Sequence, residues 1–203
     1  FTDRYKGLIL AATDSYRLAE ARVDVKQGTD SVICIVPART VFEMIRLLAA
    51  TKNVSGESDV RLWVGNNQIA MRYDGFEMTS RLIEGKYPEY SQIIPNAFKS
   101  TAIFPVDIMV NTIKAASLFT TMGVNAVAFD VKSEDKTLSV SSTSAQTGEY
   151  SSTIEAEISG EENSILLNHR YGLDGLQHLQ ENVQFGMNSA DSPCIFQQKD
   201  SDR

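Results

Sequence analysis

Three times along the chain an apolar strand runs into a proline or an asparagine and then into a helix-period pattern. Residues 31–36 lead through Pro37 to 38–50, residues 100–104 through Pro105 to 106–119, and residues 164–167 through Asn168 to 169–180. Proline is tolerated at a first helical position because the amide it lacks has no intrahelical partner there. Asparagine caps a helix by accepting from one of the free amides, so each of these residues marks a helix start. Apolar residues at i, i+3, i+4 and i+7 give the first two helices a core-facing stripe: Val41, Met44, Ile45 and Leu48 in one, Val106, Met109, Val110 and Ile113 in the other. In the third, Leu173, Leu176 and Leu179 line one side while Gly172 and Gly175 each cost about 1 kcal/mol relative to alanine. Tertiary packing has to hold that helix.

Strands follow each helix. Residues 60–64 and 69–73 read as a hairpin around 66–68, and residues 126–131 and 137–142 read as another around 133–136. Residues 8–14 can be laid on 138–144, each a strand that ends in a small polar turn and is followed by a further strand and the next strand–helix block. Together these patterns describe a βαβββ unit recurring at about 65 residues. The expected fold class is α+β, with helices on one face of antiparallel sheets and no Rossmann-type layering. The pattern divides near 95–99, which predicts one domain over 1–97 and another over 98–203. In the second, the helices at 106–119 and 169–180 should lie side by side on a continuous sheet.

Length and composition fit this picture, since 203 residues suffice for two domains of about 100. At 42% hydrophobic and 22% charged the chain has the balance of a folded soluble protein. No stretch approaches the roughly 18 apolar residues of a membrane span, and no signal peptide opens the chain, so a cytoplasmic protein without membrane partners is expected. The opening Phe1-Thr2-Asp3-Arg4-Tyr5 has no initiator methionine and reads as the end of a strand, which predicts a piece of something longer. Cys34 and Cys194 lie far apart in apolar stretches without ligand spacing and are expected to be buried free thiols, with no metal and no cofactor. Nineteen Lys and Arg against 26 Asp and Glu give a net charge of −7. Bulk charge therefore does not carry nucleic-acid binding, although a local basic surface remains open. The chain has none of the phosphate-loop, zinc-protease or nucleophile-elbow motifs. Its two histidines, His169 and His178, fall on opposite sides of one predicted helix and cannot share a metal. No catalytic residue is expected, and an enzyme site assembled from distant segments stays as an alternative.

Within this frame several blocks match one family in order. The stretch Ala12-Thr13-Asp14-Ser15-Tyr16-Arg17-Leu18-Ala19 is followed by Val36-Pro37-Ala38-Arg39 and Ile45-Arg46-Leu47-Leu48. Next come Ser80-Arg81-Leu82-Ile83-Glu84-Gly85-Lys86-Tyr87-Pro88-Glu89-Tyr90 and Ile94-Pro95, then Lys114-Ala115-Ala116-Ser117-Leu118, and finally Asn168-His169-Arg170-Tyr171 with Glu181-Asn182-Val183. Over nearly its whole length the chain resembles the bacterial DNA polymerase III β sliding clamp. Laid on that family, it begins inside the middle domain and carries most of the third. The first domain and a short last strand lie outside 1–203.

The resemblance implies a non-catalytic processivity factor for DNA replication, a homodimeric ring closed head to tail with helices lining a central hole. Double-stranded DNA would be held by enclosure, needing only weak, sequence-independent phosphate contacts. The helix faces carrying Arg39, Glu43 and Arg46, then Asp107, Asn111 and Lys114, then Arg170, Asp174 and Gln177 hold four positive and three negative charges. Arg39, Arg46, Lys114 and Arg170 are the DNA-facing candidates. The family further implies a cleft for the short binding peptides of the DNA polymerase and the clamp loader. By matching blocks it would be lined by Thr13, Ser15, Tyr16, Arg17, Leu18, Pro88, Gln92, Ile93, Val124, Asn168 and Tyr171. Asp191 and Pro193 stand where the family has a small or apolar wall, so a weakened pocket is expected. Leu118 would lie at the interface between ring protomers. The alternative within this fold is an interaction scaffold that does not encircle DNA.

Overall fold

In a computed structural model, residues 7–28, 31–50 and 59–199 are described; the predicted strand end at 1–5 lies outside them. The described residues fall into two compact units, one drawn from 24–89 and the other from 7–23 with 90–199. The chain opens on a hairpin, β1 (Gly7–Thr13) and β2 (Leu18–Asp24).

In the first unit, helix α1 (Ala38–Ala50) starts after Pro37, whose carbonyl accepts from the Thr40 and Val41 amides. It is followed by an antiparallel meander of β3 (Arg61–Val64), β4 (Gln68–Tyr73) and β5 (Phe76–Arg81). The β4–β5 turn is the two-residue Asp74-Gly75, both with left-handed φ (49° and 79°), the geometry that matches the twist of the flanking strands. Ile69 and Met71 are buried, and the Thr40 and Ser80 hydroxyls hydrogen-bond at 2.7 Å, tying α1 to that face of the meander.

Two expectations fail in this unit. The predicted strand at 31–36 reduces to an isolated bridge between Ile35 and Ile83. The predicted core stripe of α1 is largely uncovered, with Val41 and Ile45 exposed and only Thr40 buried. The second unit supplies the physical reason.

There, β6 (Ser100–Pro105) leads into α2 (Val106–Ser117), then β7 (Ala126–Lys132), β8 (Thr137–Ser144) and β9 (Gly148–Glu155). A second round runs β10 (Glu157–Gly160), β11 (Asn163–Asn168), α3 (His169–Leu176), β12 (Asn182–Met187) and β13 (Ile195–Gln198). Helices α2 and α3 pack against each other as expected. The predicted continuous sheet is instead two antiparallel four-stranded sheets, β10-β6-β12-β13 and β11-β7-β8-β9.

The two halves exchange strands. The strand before α2 pairs with the strand after α3, Pro105 opposite Asn182, while the strand before α3 pairs with the strand after α2, Asn168 opposite Ala126. The helix starts repeat the exchange. The first amide of α2 donates to the Glu181 carbonyl (2.8 Å) and that of α3 to the Asn125 carbonyl (2.9 Å), so each half closes the other's helix. Glu181 and Asn125 both hold left-handed φ (51° and 54°). Ser142 Oγ on β8 donates to the Ala116 carbonyl in the last turn of α2, and Gln198 Nε2 on β13 donates to the Gln180 carbonyl in the loop after α3. Val127 and Phe129 occupy the positions that Val183 and Phe185 occupy in the other half, and all four are buried. The rings of Phe129, Phe185 and Phe196 meet at centroid distances of 4.7–6.3 Å and join the two sheets into one core. Full burial of each such side chain contributes about 1.5–3 kcal/mol.

A strand placed before a helix thus needs its partner from a second half. Among the described residues 24–89 contain one half, so 31–36 finds no ladder and the α1 stripe has only a three-stranded sheet to cover it. The third helix is also shorter than its pattern, ending at Leu176 rather than 180. Tight single turns follow Gly175, with the His178 amide bonding to Gly175 and that of Leu179 to Leu176. Leu173 and Leu179 still pack on the core.

Candidate partner-binding site

The β1–β2 turn is built by its own side chains. Asp14 Oδ1 accepts from the Tyr16 and Arg17 amides, both at 3.1 Å, and Thr13 Oγ1 donates to the Arg17 carbonyl at 2.8 Å. Ser15 takes a left-handed φ of 74° at the tip. Such Asx geometry fixes a tight turn without regular structure. The Tyr16 amide, helped by Arg17, holds the Asp14 carboxyl below its ordinary pKa against a smaller opposing effect of desolvation.

This turn throws Tyr16 outward, 81% exposed, and aims Arg17 at α3. The Arg17 guanidinium donates from Nε to Asp14 (3.0 Å) and from Nη1 to Asp174 (2.6 Å), and its Cζ lies 4.6 Å above the Tyr171 ring. Tyr16 and Tyr171 stack with centroids 6.4 Å apart. Asn168 sets up the α3 side by capping the helix, its side chain accepting from the Arg170 amide at 3.0 Å, which puts Tyr171 on the first turn. The result is a polar-edged aromatic ledge in which one cation is held by two carboxylates and a π face.

The remaining predicted cleft residues are distributed around it. Thr13, Ser15, Tyr16, Arg17, Asn168 and Tyr171 are brought together by these bonds, and Leu18, the first residue of β2, is half-buried. Gln92 and Ile93 leave a short 3-10 turn whose Tyr90 is buried and donates its hydroxyl to Glu20 on β2 (2.7 Å). Ile93 is exposed, as is Val124. Val124 rims a shallow hollow of about 240 Å³ on the outer side of β7, β8 and β11, which contains no other predicted cleft residue. Pro88 is exposed and belongs to the other unit. Asp191 and Pro193 are exposed in a turn closed by Ser189 and Ser192.

Sequence reasoning missed two members of the ledge. Asp14 was legible, since an Asp three residues before an Arg in a hairpin turn can bond both backbone and guanidinium. Asp174 was placed on a DNA-facing helix face, and that reading is corrected: its carboxylate is engaged by Arg17, 157 residues away. The other candidates on that surface stay exposed, namely Arg39 and Arg46 on α1, Lys114 on α2 and Arg170 on α3, with Arg46 paired to Glu43 at 2.7 Å. Leu118, at the end of α2, is exposed. His169 is half-buried, its pKa lowered by burial and then by Arg170. Both cysteines are free and half-buried, less deeply placed than expected, and burial pushes the Cys194 thiol up to about 11. Among the described residues no cluster of His, Cys, Asp or Glu could hold a metal, and no helix is long and apolar enough to cross a membrane.

The family model for the central domain of the DNA polymerase III beta subunit matches residues 2–89, and the one for its C-terminal domain matches 91–203. This chain belongs to the DNA polymerase III beta subunit family. The family's central-domain match includes the β1–β2 hairpin, whose residues 7–23 pack within the second compact unit. Among curated relatives, the beta sliding clamp of Synechocystis is 30% identical over 93% of this chain and 51% of that protein. The beta sliding clamp of Streptococcus pneumoniae is 28% identical over 98% and 52%. The crystal structure of the DNA polymerase sliding clamp from Bacillus subtilis superposes with a TM-score of 0.86 at 24% identity, covering 96% of this chain and 50% of that one. The chain spans about half the length of the relatives it matches.

Proposed function

We propose that this chain is the middle-to-C-terminal part of a non-catalytic sliding clamp. In this reading residues 1–97 are the second half of the middle domain and 98–203 most of the C-terminal one. The complete protein forms a homodimeric ring in the cytoplasm, encircles duplex DNA without reading its sequence, and tethers the replicative polymerase and clamp loader by short peptides. Arg39, Arg46, Lys114 and Arg170 supply weak phosphate contacts, and Leu118 contributes to the interface between ring protomers.

The observation that carries the partner-binding half of this reading is the ledge of Tyr16, Arg17 and Tyr171 beside the first turn of α3. Aromatic faces give area and a fixed guanidinium gives orientation, which suits a short linear peptide. Leu18 and Ile93 form its apolar floor. With Asp191 and Pro193 in place of an apolar wall, affinity is expected to be no better than micromolar, a loss of about 1–3 kcal/mol or 5- to 150-fold. Titrating a labelled polymerase-type clamp-binding peptide against wild type and Leu18→Asp tests this, with circular dichroism as the fold control. The charge in the floor should abolish binding; equal affinity in two folded proteins would move the peptide elsewhere.

A further inference from the structure

The outer face of the β3–β4–β5 meander carries an arrangement unlike the rest of the chain. Leu62, Val64, Ile69, Met71 and Ser80 share the face that meets α1, so the alternate residues point away from it. Those residues include Arg61, Arg72 and Arg81, one on each strand, with a single carboxylate, Glu77. Trp63, the only tryptophan in the chain, stands beside Arg61 on the same face and is 50% exposed. Arg61 lies directly opposite Arg72, and these two with Tyr73 and Gly75 outline a small polar hollow of about 100 Å³.

The corresponding meander after α2 shows that the fold does not require this. Its outer face, by the same alternation, carries Lys132 against Asp130, Glu149 and Glu155, with small and hydroxyl side chains and no aromatic ring. Two meanders of one topology therefore carry opposite charge, three positive against one negative in the first and one positive against three negative in the second. In a chain of net charge −7 the basic face is a local concentration.

We propose that the outer face of β3–β4–β5 is a docking site for single-stranded nucleic acid. The guanidinium groups of Arg72 and Arg81 track phosphates, and a base stacks on Trp63. An unpaired strand is favoured over a duplex because stacking on an exposed indole needs a base whose π face is free, and over an acidic peptide because a peptide carboxylate offers nothing to that ring. The surface is separate from the helix faces assigned to duplex DNA above, and the inference stands without that assignment.

The test uses the 203-residue chain and a labelled oligothymidine of about 16 nucleotides at low salt. Because Trp63 is the sole tryptophan, its emission reports the site directly while anisotropy reports affinity. Expected are saturable quenching, a steep fall of affinity with salt, and at least about tenfold weaker binding by Arg72→Glu/Arg81→Glu. Trp63→Ala should weaken binding by about 5- to 150-fold, with Trp63→Phe retaining most of it and circular dichroism confirming each fold. Lys132→Glu, on the corresponding meander after α2, should leave the oligothymidine affinity unchanged, which ties binding to the β3–β4–β5 face. Absence of saturable quenching, unchanged affinity in Arg72→Glu/Arg81→Glu, loss of binding in Lys132→Glu, or equally tight binding of duplex or polyglutamate would each overturn the proposal.

Discussion

The two compact units contain the same sequence pattern and treat it differently. In the second, a βαβββ half meets its counterpart, strands are exchanged, and the α2 stripe is sealed, with Met109 and Ile113 without exposed surface. In the first, an equally periodic stripe on α1 leaves Ile45 56% exposed, and the strand before the helix has a single bridge. Amphipathic periodicity states what a helix could bury. Whether it does so depends on a second half.

The sharpest way to break this comparison is the same truncation in both helices. Ile113→Ala should lower the unfolding free energy by about 2–5 kcal/mol through cavity formation, whereas Ile45→Ala should change it by about 0.5 kcal/mol or less. Urea denaturation monitored by circular dichroism measures both, and equal losses would mean that α1 is packed as tightly as α2. Next in size is an alkaline effect at Cys194. Its folded pKa of about 11 lies above the ordinary thiol value of 9.0, so the native state keeps a proton that the unfolded state releases. Stability is therefore full below about pH 9, falls between 9 and 11, and is flat above, with a total loss of about 3 kcal/mol. Cys34, less buried and shifted upward only by burial, should be alkylated first by iodoacetamide at pH 8, by at least about tenfold as read by mass spectrometry. The smallest effect belongs to the reciprocal helix starts. Glu181→Gly relieves a left-handed backbone and should stabilise by about 0.5–1 kcal/mol, while Asn125→Gly gains less because asparagine already tolerates that region. A loss in the first substitution would show that the Glu181 side chain, not its backbone, holds the turn.

What was legible in the sequence was local chemistry. Pro37, Pro105 and Asn168 mark helix starts because a missing amide or a capping carbonyl acts within one turn, and α1, α2 and α3 begin where they indicate. Hairpins were legible because their strands are neighbours. The exchange of β6 and β11 was not, since an apolar strand carries no mark of which distant strand it will pair with. The ledge divides in the same way: the Thr13 to Arg17 turn is written in adjacent residues, but the Arg17–Asp174 pair joins positions whose proximity only the folded chain creates.

The exchange of strands also has a consequence in time. β6 emerges from the ribosome with its pairing edge bare, and its partner β12 follows about 80 residues later, several seconds at about 5–20 residues per second. During that interval an unpaired strand edge is a template for any other chain in the same condition. Two nascent copies on one message, each waiting for its own β12, could satisfy one another reciprocally and emerge entangled as a swapped pair. Slow translation between 105 and 182 would lengthen that wait, and rapid translation would favour the self-contained product.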